Sequence, residues 1–322
     1  MGKISKTSKP FTAAVIQAGT IGFDTPKTLE KMADLAAKAA GAQAKLVVFP
    51  EAFIGGYPKG SDFGIRLGSR TEEGRDWFKA YFESAIDVPG PACDQIAKIA
   101  RDNKIYISAG VIERGGSTLY CTVLFFDDKG NYLGKHRKLM PTVLERCLWG
   151  QGDGSTLPII DSPYGKMGAV ICWENHMPLL RTTMYAKGVE LYLAPTVDDR
   201  EVWGASMRHI AFEGRCFVLS PVQYSLRSDF PDDFITDEKD PKAVLINGGS
   251  CIVDPFGDYL AEPVFGKETI VTAEIDLGQI PRARFDFDPV GHYSRPDVFK
   301  LVVDESEKPP IHSADLSKKG EK

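Results

Sequence analysis

Three side chains that follow apolar runs could together carry out nucleophilic chemistry. Cys172 comes directly after Gly168–Ile171, whose small and β-branched residues predict a buried strand. Glu51 follows the apolar run that ends at Pro50, and Lys138 lies beyond a third such run. Open α/β sheets place their chemistry at the carboxyl edge of the strands. The three residues therefore predict a site at such an edge.

Each residue also has a plainer interpretation when it is taken alone. A free cysteine is among the most often buried residue types, so Cys172 could be a packing residue. Glu51 could be a helix cap or a solvated loop carboxylate, and Lys138 could belong to an exposed basic cluster. Because all three follow apolar runs, their combination favours a functional site over three unrelated residues.

The chemistry of the three groups is complementary. A cysteine has an ordinary pKa of about 8.5, so little of it is thiolate at neutral pH. A carboxylate such as Glu51 does not lower that pKa, but it can accept the proton as the thiol attacks. The Lys138 ammonium would stabilise the anion that develops. Together with Cys172 they predict an acylating or thioimidate-forming site that requires no histidine.

At these motifs the chain resembles the nitrilase superfamily, from residue 13 to residue 296. The motifs that carry the resemblance are Phe-Pro-Glu at 49–51, His-Arg-Lys-Leu at 136–139 and Val-Ile-Cys-Trp-Glu at 170–174. The resemblance implies that Glu51, Lys138 and Cys172 are the Glu-Lys-Cys triad of that superfamily. It also implies that Glu145 is the second glutamate often found near the lysine.

The segments at 172–179, 149–154 and 207–211 are similar to the nitrile-hydrolysing branch. This resemblance implies hydrolysis of an organic nitrile to a carboxylic acid and ammonia through a covalent thioimidate and thioester. Cyanide-hydrolysing relatives share much of the pattern, and an amidase or carbamoyl amidohydrolase would use the same triad. A non-catalytic binding role is a third alternative, against which the intact triad argues.

Five further residues are predicted to support the reaction or to line its pocket. Glu145 would position the lysine or the substrate, and the backbone N–H of Trp173 is a candidate donor to a developing anion. Tyr57 and Trp149 would shape the substrate cavity, although large aromatic residues are more often plain core packing. His176 is predicted to be a pocket-wall or interface residue rather than a base. No metal and no organic cofactor is needed.

The composition restricts the location and the partners of this 322-residue chain. A formal net charge of −5 argues against nucleic acid or an anionic membrane surface as the main partner. No apolar stretch is long enough to span a bilayer, and the basic N-terminus leads into no signal-like apolar core. These features predict a cytoplasmic protein, and the resemblance implies that its partner is a small-molecule nitrile.

Cysteine spacing and glycine spacing exclude two other kinds of site. The six cysteines are scattered, with no Cys-x-x-Cys pair and no zinc-like spacing to histidine. Most of them are predicted to be packing residues, and Cys147 is expected near the pocket because it follows Glu145. The glycine-rich segment 150–154 lacks the Lys-Ser or Lys-Thr of a phosphate-binding loop.

Strand and helix patterns alternate along the chain, which favours an α/β sandwich. One domain is predicted at 1–304, followed by a polar tail at 305–322 that is predicted to be disordered. The segment 225–242 reads as a surface insertion or a lid. The resemblance implies a four-layer α-β-β-α subunit and a homo-oligomer, built from dimers that pair through their helical layers and extend into spirals or filaments. The predicted strands cover 12–17, 46–49, 105–112, 120–127, 168–171, 191–194, 216–221, 250–254 and 269–275, and the predicted helices cover 25–41, 75–86, 93–103, 205–214 and a segment from 179 onward.

Overall fold

The computed structural model describes residues 9–309 and 311. Within them the chain forms fourteen strands. In chain order these are β1 (Phe11–Gln17), β2 (Ala44–Val48), β3 (Ile86–Asp87), β4 (Tyr106–Gly115), β5 (Thr118–Phe126), β6 (Tyr132–Arg137), β7 (Ile160–Ser162), β8 (Gly165–Ala169), β9 (Leu191–Leu193), β10 (Phe217–Ser220), β11 (Tyr224–Leu226), β12 (Val244–Val253), β13 (Tyr259–Phe265) and β14 (Thr269–Ile275).

Six α-helices connect or flank the strands in the described part of the chain. They are α1 (Thr25–Gly41), α2 (Glu72–Ser84), α3 (Pro91–Asn103), α4 (Pro178–Ala186), α5 (Glu201–Gly214) and α6 (Gln279–Ala283). The start of α1 shows how the sequence sets a helix boundary. The Asp24 carboxylate accepts the Lys27 N–H, and Pro26 occupies the first turn, where its missing N–H costs nothing.

The strands form two seven-stranded sheets. The first has the order β14-β1-β2-β4-β5-β6, with β3 paired to β4, and the second has the order β11-β12-β10-β9-β8-β7, with β13 paired to β12. The central strands of each sheet run parallel: β1 with β2 and β4, and β8 with β9 and β10. Parallel strands buried on both faces read as continuous apolar runs, which is why the sequence located them.

Alternation along these strands divides the interior into three apolar layers. Leu46 and Val48 of β2 face the layer between the two sheets, as Leu193 of β9 does from the opposite side. Val47 of β2 instead packs with residues of α1 and α3, and Tyr192 of β9 packs with residues of α4 and α5. The predicted four-layer α-β-β-α sandwich is therefore confirmed.

Several predicted element boundaries are wrong in an informative way. The helix at 25–41 and the strand at 269–275 match the structure. The strand predicted at 168–171 ends instead at Ala169, because the chain leaves the sheet before the cysteine. Strands β6 and β13 were not predicted, since β6 is rich in charged residues and β13 is half exposed.

The segment 225–242 is better packed than its polar sequence suggests. Phe230 and Phe234 are buried and their rings lie within 6.0 Å of the Phe23 ring. The buried Arg227 guanidinium donates hydrogen bonds to four backbone carbonyl groups of the same segment. The aromatic part of this segment is therefore packed into the domain, and the interpretation of the segment as a surface insertion or a lid stays a prediction.

The predicted disordered tail at 305–322 falls mostly outside the described residues. In the part that is described, Glu305 forms an ion pair with Lys187 at 2.9 Å. The Lys308 N–H donates to the Asp153 carboxylate at 2.8 Å. The domain boundary at 304 stays a prediction. No helix among residues 9–309 is long and apolar enough to cross a membrane.

Candidate active site

Glu51 lies where the chain leaves the carboxyl end of β2. Its side chain is fully buried, and its backbone carbonyl accepts a hydrogen bond from Gln223 Nε2 at 2.7 Å. Gly110 of the neighbouring β4 makes this path possible, because a Cβ atom there would lie 2.1 Å from the Pro50 carbonyl oxygen and 2.9 Å from Glu51 Cα. Only a glycine lets the two backbones approach this closely.

Lys138 joins Glu51 and Glu145 in a buried ion cluster. Its Nζ lies 2.7 Å from Glu51 Oε1 and 2.8 Å from Glu145 Oε2. Glu145 belongs to a 3₁₀ helix at Val143–Cys147, and the Thr142 N–H donates to its Oε2 at 2.6 Å. The cluster therefore holds two largely buried carboxylates on one fully buried ammonium group.

This arrangement changes the acidity of its members. Burial raises the pKa of Glu51, the Lys138 charge opposes that rise, and the Glu145 charge adds to it. Burial alone would lower the pKa of Lys138, but its neighbours, of which Glu51 has the largest effect, hold that pKa well above its ordinary value. Lys138 is therefore a permanent cation at neutral pH, whereas Glu51 is more basic than an ordinary glutamate.

Cys172 occupies a strained elbow between β8 and a 3₁₀ helix at Cys172–His176. Its φ of +50° is a left-handed conformation that costs a non-glycine residue about 1–3 kcal/mol. Two contacts hold it there. The Cys172 N–H donates to the Pro195 carbonyl at 2.9 Å, and Asn175 Nδ2 donates to the carbonyls of Cys172 and Val170 at 2.8 and 2.9 Å.

We expect Asn175→Ala to lower the free energy of unfolding by about 1–2 kcal/mol, because two buried carbonyl groups lose their side-chain donor. Asn175 Oδ1 has no partner, so its removal offsets part of that loss. The measurement is urea denaturation at equilibrium. Asn103→Ala is the matched control, since its amide donates to one partly exposed carbonyl; an equal loss in both variants would contradict the role of Asn175.

The buried Cys172 thiol lies beside one carboxylate that can take its proton, that of Glu51. Burial raises the pKa of the thiol and the Glu51 charge raises it further, whereas Lys138 and a hydrogen bond from Thr196 oppose the rise. Glu51 Oε1 already accepts hydrogen bonds from Lys138 and from Cys121 Sγ at 3.6 Å. Glu51 Oε2 has no fixed partner in the described structure, so it is the oxygen open to a proton.

A second buried pair ties the lysine segment to the cysteine segment. Glu174 Oε2 accepts hydrogen bonds from the Ile171 N–H at 2.8 Å and from His136 Nε2 at 3.0 Å, and its Oε1 accepts from the Leu139 N–H at 2.6 Å. The other His136 nitrogen donates to the Thr156 carbonyl at 2.7 Å. Burial alone would lower the pKa of His136, but Glu174 raises it above its ordinary value. The pair fixes the backbone on one side of Lys138 and of Cys172.

Two adjoining cavities lead to the sulfur. One of about 190 Å³ is lined by Cys172, Trp173, Asp198 and Arg200. A neighbouring cavity of about 250 Å³ shares four lining residues with it, namely Tyr57, Lys59, Thr142 and Glu145. A small substrate therefore has space beside both the thiol and the ion cluster.

The predicted pocket residues lie in different places. The Tyr57 hydroxyl donates to Glu145 Oε1 at 2.8 Å, and its ring packs edge-on against Trp149. Trp149 is buried with its ring 5.5 Å from Lys138 Nζ, so it packs in the core and also faces the ion cluster. Trp173 lines the cavity and its indole donates to Asp198. His176 is exposed, lies outside the lining of both cavities and packs edge-on against Trp173.

Asp198, which lines the cavity, and Thr196, which contacts the Cys172 sulfur, were not predicted. Both follow β9, and the strand-end pattern that located Glu51 points to them too. Lys59 lies in a turn, and no sequence pattern there indicates a functional residue. Cys147 is exposed and lines a separate cavity, although it lies only two residues from Glu145. Residues 9–309 contain no group of three or more His, Cys, Asp or Glu residues that could hold a metal ion.

Comparison with known proteins identifies the family. Residues 12–285 match the carbon-nitrogen hydrolase family. The chain belongs to that family. It is 58% identical over 304 residues to an aliphatic nitrilase of Sinorhizobium fredii strain HH103, covering 94% of this chain and 98% of the relative. It is 56% identical over 314 residues to a bifunctional nitrilase/nitrile hydratase of Nicotiana tabacum, covering 96% of this chain and 90% of the relative.

These relatives confirm the resemblance to the nitrilase branch of the family. A solved structure supports the fold separately. The carbon-nitrogen hydrolase of Helicobacter pylori G27 superposes with a TM-score of 0.70 at 24% sequence identity, covering 90% of this chain and 97% of that one. At 24% sequence identity the superposition supports a shared fold and carries no information about the substrate.

Proposed function

We propose that the protein hydrolyses an organic nitrile to the carboxylic acid and ammonia, with Cys172 as nucleophile, Glu51 as base and Lys138 as the stabilising cation. The observation that carries the proposal is the buried thiol at the end of a cavity, beside a carboxylate whose second oxygen is unpartnered. The nitrilase relatives supply the substrate class.

In the first stage the sulfur attacks the nitrile carbon and an S–C bond forms. The thiol proton passes to Glu51, because the raised pKa of the buried carboxylate makes it a suitable acceptor. The electron pair that leaves the C–N triple bond collects on nitrogen, where the Lys138 ammonium stabilises it and protons pass through the Lys138–Glu51 contact. The product is a neutral thioimidate on Cys172.

In the second stage Glu51 takes a proton from a water molecule that adds to the thioimidate carbon. The resulting tetrahedral carbon carries sulfur, a hydroxyl group and an amino group. The C–N bond breaks, the nitrogen leaves as ammonia with a proton from the cluster, the hydroxyl proton passes to Glu51, and a thioester remains. A second water releases the carboxylic acid and restores the thiol. Glu145 holds Lys138 in place, and the backbone N–H of Trp173, which a 3₁₀ helix leaves without a helical partner, donates to the developing anion.

The test is ammonia release from a panel of benzonitrile, phenylacetonitrile, a dinitrile, cyanide and the matching amides. We expect ammonia from one or more organic nitriles at rates well above those from the amides. Ammonia from amides alone would replace the proposal with an amidase, and ammonia from cyanide alone would replace it with a cyanide-hydrolysing enzyme.

The pH dependence tests the base. Glu51 must be ionised to accept the thiol proton, and its pKa lies above the ordinary value of 4.5. We therefore expect kcat/KM to fall with decreasing pH at a point above pH 4.5, as Glu51 becomes protonated. Because the pKa of Lys138 lies well above 10.5, loss of its proton should produce no alkaline limb below that pH.

The profile is measured between pH 4 and 10, with circular dichroism at each pH as the control for unfolding. An acid limb at or below the ordinary glutamate value, in protein that remains folded, would contradict the role of Glu51.

We also propose that the protein forms a homo-oligomer, in which two subunits pair through the helical layer of α4 and α5. Leu179 and Val202 on these helices are 69% and 58% exposed, and Phe212 of α5 is 50% exposed, which supports a surface covered by a second copy. Size-exclusion chromatography with light scattering tests this; a monomer at micromolar concentration would contradict it. The cytoplasmic location stays a prediction.

A further inference from the structure

We propose that Thr196 is a further catalytic residue, whose hydroxyl group stabilises negative charge on the Cys172 sulfur and thereby sets the share of amide released beside the acid. This inference rests on the proposed nitrile hydrolysis and deepens it. Thr196 is fully buried, and its Oγ1 lies 3.1 Å from Cys172 Sγ. It is a direct neighbour of the reacting atom.

The backbone fixes this contact. The Thr196 N–H donates to the Pro221 carbonyl at 3.1 Å, and Pro195 accepts the Cys172 N–H at 2.9 Å. Thr196 also forms a β-bridge with Val222. The hydroxyl and the sulfur are therefore carried by two segments that the second sheet joins directly, so the two backbones are held in register with each other.

The direction of the hydrogen bond follows from the other partner of the hydroxyl group. The Asp198 N–H donates to Thr196 Oγ1 at 2.9 Å, so the oxygen already acts as an acceptor. Within the described structure, Cys172 Sγ is the acceptor available to the hydroxyl proton. Thr196 therefore donates to the sulfur, and the thiol proton is left to point toward Glu51. A donor that itself receives a hydrogen bond is strengthened by polarisation.

The sulfur bears charge at one branch point of the reaction. The tetrahedral carbon formed by the first water can lose nitrogen, in which case the C–N bond breaks and ammonia leaves with a proton from the cluster. It can instead lose sulfur. The C–S bond then breaks, its electron pair stays on sulfur as a thiolate, the hydroxyl proton passes to Glu51 and an amide is released. Protonation of the thiolate by Glu51 restores the resting enzyme.

A hydrogen bond to sulfur stabilises the second exit and not the first, because negative charge collects on sulfur only when the C–S bond breaks. Thr196 therefore raises the share of amide. Hydrogen bonds to charged groups contribute enough free energy to change a partition ratio by about tenfold or more. The tobacco relative is described as both a nitrilase and a nitrile hydratase, so release of an amide occurs in this part of the family.

The experiment compares wild type with Thr196→Val, which keeps the side-chain shape and removes the hydroxyl, and with Thr196→Ser, which keeps the hydroxyl. Amide and acid are quantified from the same nitrile. We expect the amide-to-acid ratio to fall about tenfold in Thr196→Val and to recover in Thr196→Ser. The ratio does not depend on how much of the protein is folded. Thr183→Val removes a buried hydroxyl that bonds the Leu179 carbonyl, and it should leave the ratio unchanged.

A second measurement is independent of nitrile turnover. The rate at which iodoacetamide alkylates Cys172 at neutral pH should fall in Thr196→Val and recover in Thr196→Ser, because the thiolate loses its donor. An unchanged amide-to-acid ratio, an unchanged alkylation rate, or acid as the only product of wild type would overturn this inference. Wild type that releases no ammonia from any nitrile would instead overturn the proposed function, and the alkylation rate would still report on Thr196.

Discussion

Replacing Cys172 with alanine should reduce nitrile turnover by about 10⁴-fold or more while leaving the fold intact. The reason is that the sulfur forms the covalent bond, and no other nucleophile can take its place. A second thiol beside Glu51 is that of Cys121, which is fully buried and donates to the Glu51 carboxylate. Burial raises the pKa of Cys121 well above its ordinary value, so it stays a neutral packing residue. Ammonia release under substrate saturation is the measurement.

Cys251→Ala is the matched control for this prediction. Cys251 is also a fully buried free cysteine, and it lies in β12 in the core cluster that packs against α4 and α5. The control variant loses the same atoms and leaves a similar space, so it reports the cost of deleting a buried thiol. Near-normal turnover by Cys172→Ala, or an equal loss in Cys251→Ala, would contradict the assignment of the nucleophile.

Replacing Lys138 with methionine should damage both activity and stability. Turnover should fall by about 10³-fold, because the anion that develops on the substrate nitrogen loses its cation. The free energy of unfolding at pH 7 should fall by about 3–5 kcal/mol, because Glu51 and Glu145 become two buried carboxylates without a counter-charge. The measurements are ammonia release and urea denaturation.

Lowering the pH should reduce the stability difference between Lys138→Met and wild type. Without the lysine, burial and the Glu145 charge raise the pKa of Glu51 with nothing of comparable size to oppose them. Protonation of Glu51 as the pH falls therefore removes part of the stability loss of the variant. Lys135→Met is the control, since Lys135 pairs with the buried Glu113, which keeps Arg137 as a second cation. We expect the free energy of unfolding of Lys135→Met to be about 1 kcal/mol lower than that of wild type, with unchanged activity. Equal losses in the two variants would contradict the special position of Lys138.

Some parts of this site could be predicted from the sequence for a definite physical reason. Glu51 and Cys172 follow apolar runs because parallel central strands are buried on both faces, and the ends of such strands carry chemistry. The apolar runs therefore predicted both the sandwich and the positions of Glu51 and Cys172 near the ends of its strands. The Gly110 contact with Glu51 was not visible, since only the paired strands show that a side chain there would collide with the backbone.

Other parts depend on contacts that leave no local pattern. Strand β6 carries Lys138 at its end, but its Lys135 and Arg137 point to the buried Glu113 and give the strand a polar sequence. Thr196 follows the end of β9, but only its contact with the Cys172 sulfur shows what its hydroxyl group can do. The left-handed backbone conformation of Cys172 was likewise not predicted, because no residue type in this segment indicates a positive φ at a cysteine.

The most direct test of covalent catalysis by Cys172 is to identify the covalent intermediate. Wild type would be mixed with the nitrile that it hydrolyses fastest, quenched in acid within the first turnovers, digested and analysed by mass spectrometry. With Cys172 as the nucleophile, we expect the peptide that contains it to gain the mass of the nitrile when it carries the thioimidate. When it carries the thioester, the same peptide should gain the mass of the acyl group. Turnover without an adduct on this peptide, or an adduct on Cys121 or Cys147 instead, would contradict covalent catalysis by Cys172.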